Sequence, residues 1–316
     1  MLPLLIRRGA FSLFSLLVVS AVLFLLTRSI PDPPALIVLG PEATESQVAR
    51  FNHDYGLDQP IMLQYGTWLT GLVLHGDFGR SFITRRSVDG QITHTMPVTI
   101  EMVVIAFLAA CILSLILGTL AALLRNSVVD YAARLIAVLG VSVPGFWLAL
   151  MLILAFAVDR DWFPPGGLVP LSAGLGAHLN SIALPVFCLA VFYMAVLTRM
   201  TRSSLLEVLG QDFVRTARAT GLSGSRVLFY ALKNALVPVV TVAGLSFGHM
   251  FGLALIIEQV FNIDGLSRTL LNAIQQRDFV LVQAIVMVFT LVFVFSNLAA
   301  DLANGWLNPR LAMVNR

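Results

Sequence analysis

Six apolar runs, residues 9–27, 98–124, 135–158, 179–198, 234–257 and 279–300, are each long enough to cross a bilayer. A hydrocarbon core of roughly 30 Å takes about 20 helical residues. Inside that core no water is present to satisfy backbone N–H and C=O groups, so each run must pair them within its own segment. The chain is therefore expected to be all-α, a polytopic membrane protein with six transmembrane helices. Composition agrees, because 58% of its 316 residues are hydrophobic and only 12% are charged, more apolar than a soluble surface of that size tolerates. Pro144, Pro185 and Pro238 lie within these runs, as do several glycines. Both residue types point to helices packed on one another rather than isolated in lipid.

The first run follows Arg7 and Arg8, as a secretory signal peptide would, but it leads into Thr27, Arg28, Ser29, Ile30 and Pro31 with no small-x-small cleavage site. It is expected to be an uncleaved anchor with its N-terminus in the cytoplasm. On that orientation the inner segments hold Arg7, Arg8, Arg125, Arg134, Arg199, Arg202, Arg215, Arg218, Arg226, Lys233, Arg310 and Arg316 against Asp130, Glu207, Asp212 and Asp301. The outer segments carry more acids than bases, Asp32, Glu42, Glu45, Asp54, Asp58, Asp77 and Asp89 among them. This is the positive-inside pattern, and six spans return the C-terminus to the cytoplasm. The net charge of +3 is thus a topology signal with no sign of nucleic-acid binding.

The long extramembrane piece, residues 28–97, is expected to form a small helical cap outside the membrane. In it Val48, Phe51 and Tyr55 recur at helical spacing behind a Thr44 cap. Tyr65, Trp68 and Leu72 read as packing or interfacial-belt residues.

Chemistry is scarce. The single lysine, Lys233, follows Leu232 rather than a glycine, so no Walker loop exists to hold ATP. HExxH, CxxC and GxSxG are absent, and Cys111 and Cys188 read as packing residues with no ligand set for a metal. No catalytic residue, cofactor or metal is expected. Among ionisable groups only His249 lies deep within a run, whereas Glu101, Arg199, Glu258 and Asp301 fall near run ends. His249 fits either a helix contact or the wall of a transport path; the other histidines, His178 included, read as rim residues without partners. A carrier driven by an ion gradient would need more such groups, yet it stands as the alternative reading.

Energy could instead enter from a partner through residues 212–222, DFVRTARATGL, a polar helix between two apolar runs. Val214, Ala217 and Gly221 are expected on one face as a small-residue stripe, with Arg215 and Arg218 on another and Asp212 at the favoured N-terminal end. Phe213 and Thr216 complete the segment. Such a helix suits a groove on another protein, and pattern alone fits contact with anionic lipid heads as well.

DFVRTARATGL, with NALVP at residues 234–238, resembles the EAA-type loop of the permease subunits of bacterial ABC importers, in the dipeptide, oligopeptide and nickel branch. YGLDQP (55–60), GDFGRS (76–81), GVSVPGFWLA (140–149), EQVFNIDGLSR (258–268) and NPR (308–310) follow in that family's order, so the likeness covers essentially the whole chain. Arg215, Thr216 and Ala217 stand where the general pattern has Glu-Ala-Ala, as is similar to the peptide branch, and Thr220 replaces a frequent lysine.

The resemblance implies an ABC importer type I transmembrane domain. In it residues 212–218 and Gly221 form the coupling helix that docks in a cleft of an ATPase. It further implies three kinds of partner: a second, homologous permease in a heterodimer, two cytoplasmic ATPases, and a periplasmic or lipid-anchored binding protein. The implied location is the bacterial inner membrane, and the implied cargo is small peptides or nickel and its chelates. The expected division is an N-terminal span and cap at 1–97, a transmembrane domain at 98–305 with its coupling loop at 199–234, and a tail at 306–316. Pro144, Phe146 and His249 are candidates for the translocation path, with Pro144 and Gly145 a bend in the third span.

Overall fold

The computed structural model describes residues 2–29 and 34–307. Of the expected tail at 306–316, Trp306 and Leu307 are the last residues of a helix, and 308–316, the NPR motif included, lie outside the described residues. Twelve α-helices follow in order: α1 Leu2–Arg28, α2 Pro34–Leu39, α3 Glu45–Asp54, α4 Ile61–Thr70, α5 Val88–Leu123, α6 Val128–Ser142, α7 Gly145–Leu152, α8 Leu175–Leu209, α9 Asp212–Ala219, α10 Gly224–Val260, α11 Leu266–Gln275 and α12 Phe279–Leu307. Among the described residues the only β pairing is an isolated bridge between Arg80 and Ser87. Five helices, α1, α5, α8, α10 and α12, are long and apolar enough to cross a membrane, and α6 with the α7 segment supplies a sixth span. The all-α, six-span architecture holds.

The third span in chain order is broken. The axes of Val128–Ser142 and Gly145–Val158 differ by 103°. Pro144 has no N–H to donate and sits at φ −61°, ψ 133° as the N-cap of α7, which ends one helix and starts the next. The third span is therefore two helices meeting at Val143 and Pro144, a sharper device than a kink.

Other helices outrun their apolar runs. α5 begins at Val88, ten residues before the expected 98, and carries Pro97 inside it. Asp89 lies in its first turn, accepting from the Phe78 N–H at 3.0 Å, so the polar end is anchored outside the apolar run.

Chain contacts divide the molecule into two units. Of the described residues the first contains 2–9, 99–264 and 292–307. Here α8 is the most enclosed span, with α6, α7 and α10 packed on it. Small residues set the closest approaches. A Cβ on Gly244 of α10 would stand 2.4 Å from the Ala300 Cβ on α12, and the Ser296 hydroxyl donates to the Gly244 carbonyl at 2.7 Å. This is the small-residue packing that brings backbones together where water cannot drive association. Glu258 was expected near water. It is fully buried, accepting from the Thr99 hydroxyl at 2.5 Å, because α10 continues to Val260 and keeps that residue inside packed helix.

The second unit, residues 10–98 and 265–291, is the cap with its supporting helices. α3 starts as its sequence requires: the Thr44 hydroxyl accepts from the Gln47 N–H while the Gln47 side chain accepts from the Thr44 N–H. That start aims Phe51 into a small core with Ala35 and Phe82. The Tyr65 and Trp68 rings pack on Phe24, and the Tyr65 hydroxyl meets the Ser20 hydroxyl at 2.8 Å, so packing accounts for both aromatics. The Ser81 hydroxyl donates to buried Asp278. Burial pushes that carboxyl above the ordinary range, and the bonds from Ser81 and the Leu281 N–H pull the other way.

Gly244→Leu should force α10 and α12 apart and cost about 1–3 kcal/mol. Thermal unfolding of the detergent-solubilised protein should show a clearly lower Tm. Gly252→Leu, at a position with nothing within 4 Å of a new Cβ, should leave it unchanged.

Candidate functional site

The segment between α8 and α10 is built by its caps. α8 ends at Gly210, α9 occupies only Asp212–Ala219, and the chain then reverses through Gly221 at φ +81°. The Gly221 N–H donates to the Arg218 carbonyl at 3.1 Å and the Leu222 N–H to the Ala217 carbonyl at 3.1 Å. This is a Schellman closure, which satisfies two otherwise orphaned carbonyls and requires a left-handed residue. Gly221 is thus not on the helix face expected for it. It lies beyond the helix as its terminator.

The stripe also faces the other way. Val214 is buried at 1% exposure and Ala217 is half-buried, in a helix that packs on α10. An eight-residue helix has only one apolar stripe, and its own chain takes it. What remains exposed is Asp212, Phe213, Arg215, Thr216, Arg218 and Ala219. Phe213 is 40% exposed, and Arg215 reaches Asp212 at only 3.4 Å. The exposed surface of α9 thus combines an aromatic ring with two arginines, residue types enriched at protein interfaces.

Within the spans, the expected path residues fall on two elements, the α6–α7 break and α10. Pro144 marks the break, Phe146 is 50% exposed on α7, and His249 is exposed on α10 with its ring stacked on Phe293 at 5.7 Å. The break does reach α10: a Cβ on Gly145 would touch Leu253 at 3.5 Å, and Leu253 follows His249 by one turn on the same face. Separately, α5, α10 and α12 form an open apolar depression of about 420 Å³ bordered by Phe107, Cys111, Phe247 and Ala300. Among the described residues no group of three or more His, Cys, Asp or Glu side chains could hold a metal ion.

Two polar networks are invisible in the sequence. His178, read as a rim residue without partners, is buried at 3% exposure in the first turn of α8. Its Nδ1 donates to the Val169 carbonyl at 2.7 Å and its Nε2 meets Glu101 Oε1 at 2.7 Å. Both ring nitrogens face oxygens, so a proton must lie between Nε2 and the carboxyl, on one or the other. The loop before α8 is fixed by this bond and by two more: Val169 N–H to the Ser181 hydroxyl at 3.1 Å, and Gly167 N–H to the Phe261 carbonyl at 2.7 Å.

The second network joins α6 to α8. Asp130, fully buried, accepts from Arg202 Nε at 2.6 Å and Nη2 at 2.9 Å, and from the Asn126 N–H at 3.0 Å. A fork-to-carboxylate pair of this kind fixes both distance and rotation of the two helices. Only spacing on one helix is readable from sequence, and these partners are 72 residues apart.

These features define a class: a multi-pass helical membrane subunit with a bent third span and one short charged helix presented outside the spans. Sequence comparison identifies the family. Residues 114–313 match the model of the binding-protein-dependent transport system inner membrane component, and residues 1–103 match that of its N-terminal region. The chain belongs to this family and is a permease component of an ABC importer. It is 41% identical over 313 residues to a provisionally named peptide transport system permease protein of Brucella suis biovar 1, covering 98% of this chain and 99% of the relative. It is 36% identical over 298 residues to the glutathione transport system permease protein GsiC of Salmonella choleraesuis, covering 94% of each.

Asp130→Ala should destabilise the protein by about 3–5 kcal/mol, because it strands the Arg202 guanidinium. Asp130→Leu combined with Arg202→Met should recover most of the lost Tm, measured by thermal denaturation in detergent. Recovery would show that the single variant suffers from an unpaired charge rather than from lost attraction.

Proposed function

We propose that this permease forms one half of the path for small peptides across the bacterial cytoplasmic membrane and is driven by ATPases that grip α9. The observation that carries the reading is the exposed face of α9, Phe213, Arg215, Thr216 and Arg218 with Asp212, held by a closure that needs Gly221. Relatives named for peptide and glutathione transport support peptide cargo, and none of those quoted above is named for nickel. Nickel or its chelate is the second cargo to test.

In this reading both termini and the 199–234 loop face the cytoplasm. Residues 1–97 form the first span and an outer cap, and 98–305 the transmembrane domain. The partners are a second, homologous permease, two ATPases and an external binding protein. ATP acts through its differential affinity for two states of the assembly: closure of the ATPases draws the two α9 levers together and exchanges inward-open for outward-open forms. The α6–α7 break, with Pro144, Phe146 and His249 around it, would line the path.

Proteoliposomes holding the permease pair, ATPases and binding protein should accumulate labelled di- or tripeptide only with ATP. Vesicles holding this chain alone should be inert even under a proton or sodium gradient. Gly221→Val puts a β-branched residue at φ +81° and should cut uptake at least about tenfold, since left-handed geometry costs roughly 1–2 kcal/mol. Gly221→Asn, which tolerates that geometry, should retain more activity. Arg215→Glu should lose ATPase co-purification and uptake together while inserting normally; full uptake in that variant would refute the docking claim.

A further inference from the structure

Between α6 and α8, toward the end of α8 that leads into α9, lies a cavity of about 270 Å³. Arg134, Arg199 and Arg202 stand around it, and Ala137 and Val138 form part of its apolar wall. We propose that it is a binding site for the phosphate headgroup of an acidic phospholipid.

Charge comes first. Three guanidiniums face one carboxylate, and that carboxylate is already engaged: Asp130 accepts two bonds from Arg202 and one from the Asn126 N–H. Arg134 reaches it only at 3.4 Å, and among the described residues no carboxylate pairs with the exposed Arg199. Two positive charges are left over beside an apolar wall, where an anion gains more than it would in open water.

The second observation is Thr198. The residue lines the cavity and is 3% exposed, and its hydroxyl, turned into the protein, has no hydrogen-bond partner. A buried hydroxyl without a partner is costly, and a change of χ1 rotamer would turn it toward a phosphate oxygen among the three arginines.

The third observation separates a lipid from free phosphate. From Val138, 58% exposed, the α6 surface continues through exposed Leu135 and Leu139, an apolar strip that an acyl chain can cover while its headgroup sits among the arginines. Basic pockets between spans at the membrane surface suit this class of ligand.

The test is native mass spectrometry of the full-length purified protein, titrated with phosphatidylglycerol and phosphatidylethanolamine of matched chains. Wild type should retain phosphatidylglycerol about tenfold over phosphatidylethanolamine, and Arg134→Gln with Arg199→Gln should abolish that preference while keeping the Asp130–Arg202 pair. Thr198→Val, which changes no charge, should weaken it by about threefold to fivefold. Lys233→Gln, a cation outside the cavity, should leave it intact. Unchanged preference in the double arginine variant, an equal loss in Lys233→Gln, or displacement of the lipid by millimolar inorganic phosphate would each overturn the assignment.

Discussion

The packing of the first unit depends on one buried ion pair. In hydrocarbon, apolar side chains gain little by leaving lipid for protein, so helices are held by close backbone approach and by polar groups that have nowhere else to go. Asp130 is such a group. Once it is buried on α6, a cation must balance it: Arg134 of the same helix reaches it at 3.4 Å, and Arg202 of α8 bonds it through two nitrogens at once. Breaking such a pair leaves a charge stranded, whereas removing both partners is far milder. The pair therefore acts as a register pin between α6 and α8. Gly140 next to Ala195 lets the same two helices close ranks farther along.

That pin matters because α8 leads directly into α9. After Leu209 only Gly210 and Gln211 intervene, and after Ala219 the Schellman turn passes at once to Ser223, the N-cap of α10. With so short a connection at each end and Val214 buried, α9 is held to its two long neighbours rather than hung from a flexible loop. A force applied to its exposed face would be transmitted to α8 and α10 and, through the Asp130–Arg202 pair, to α6. The break at Val143 and Pro144 then sits at the far end of the element the force reaches.

Much of this was legible in sequence, for reasons that differ by element. Hydropathy finds spans because hydrocarbon thickness sets their length, although it misses where α5 continues into water on Asp89. The Thr44 and Gln47 capping box marks the start of α3 because both partners lie within one turn. Proline at 144 marks the bend because the missing N–H is local. What escaped was pairing across distance. Asp130 with Arg202, His178 with Glu101 and Thr99 with Glu258 join residues 72, 77 and 159 positions apart, and each alone looks like a loop charge or a rim residue. The face of α9 escaped for another reason. An apolar stripe shows that a helix is covered, and its own chain was as good a cover as a partner.

The same ambiguity bears on the cap, where it resolves in the opposite sense. Tyr65 and Trp68 read in sequence as packing or interfacial-belt residues, and both half-buried rings lie on fully buried Phe24 of α1, with Ser20 accepting or donating at the Tyr65 hydroxyl. These ring contacts and the hydroxyl pair position α4 against α1. In α9 the aromatic Phe213 packs on no other ring among the described residues and is 40% exposed. The aromatic pair of α4 is packed on a ring of its own chain, whereas Phe213 of α9 stays on the surface of a helix whose one buried apolar residue is Val214.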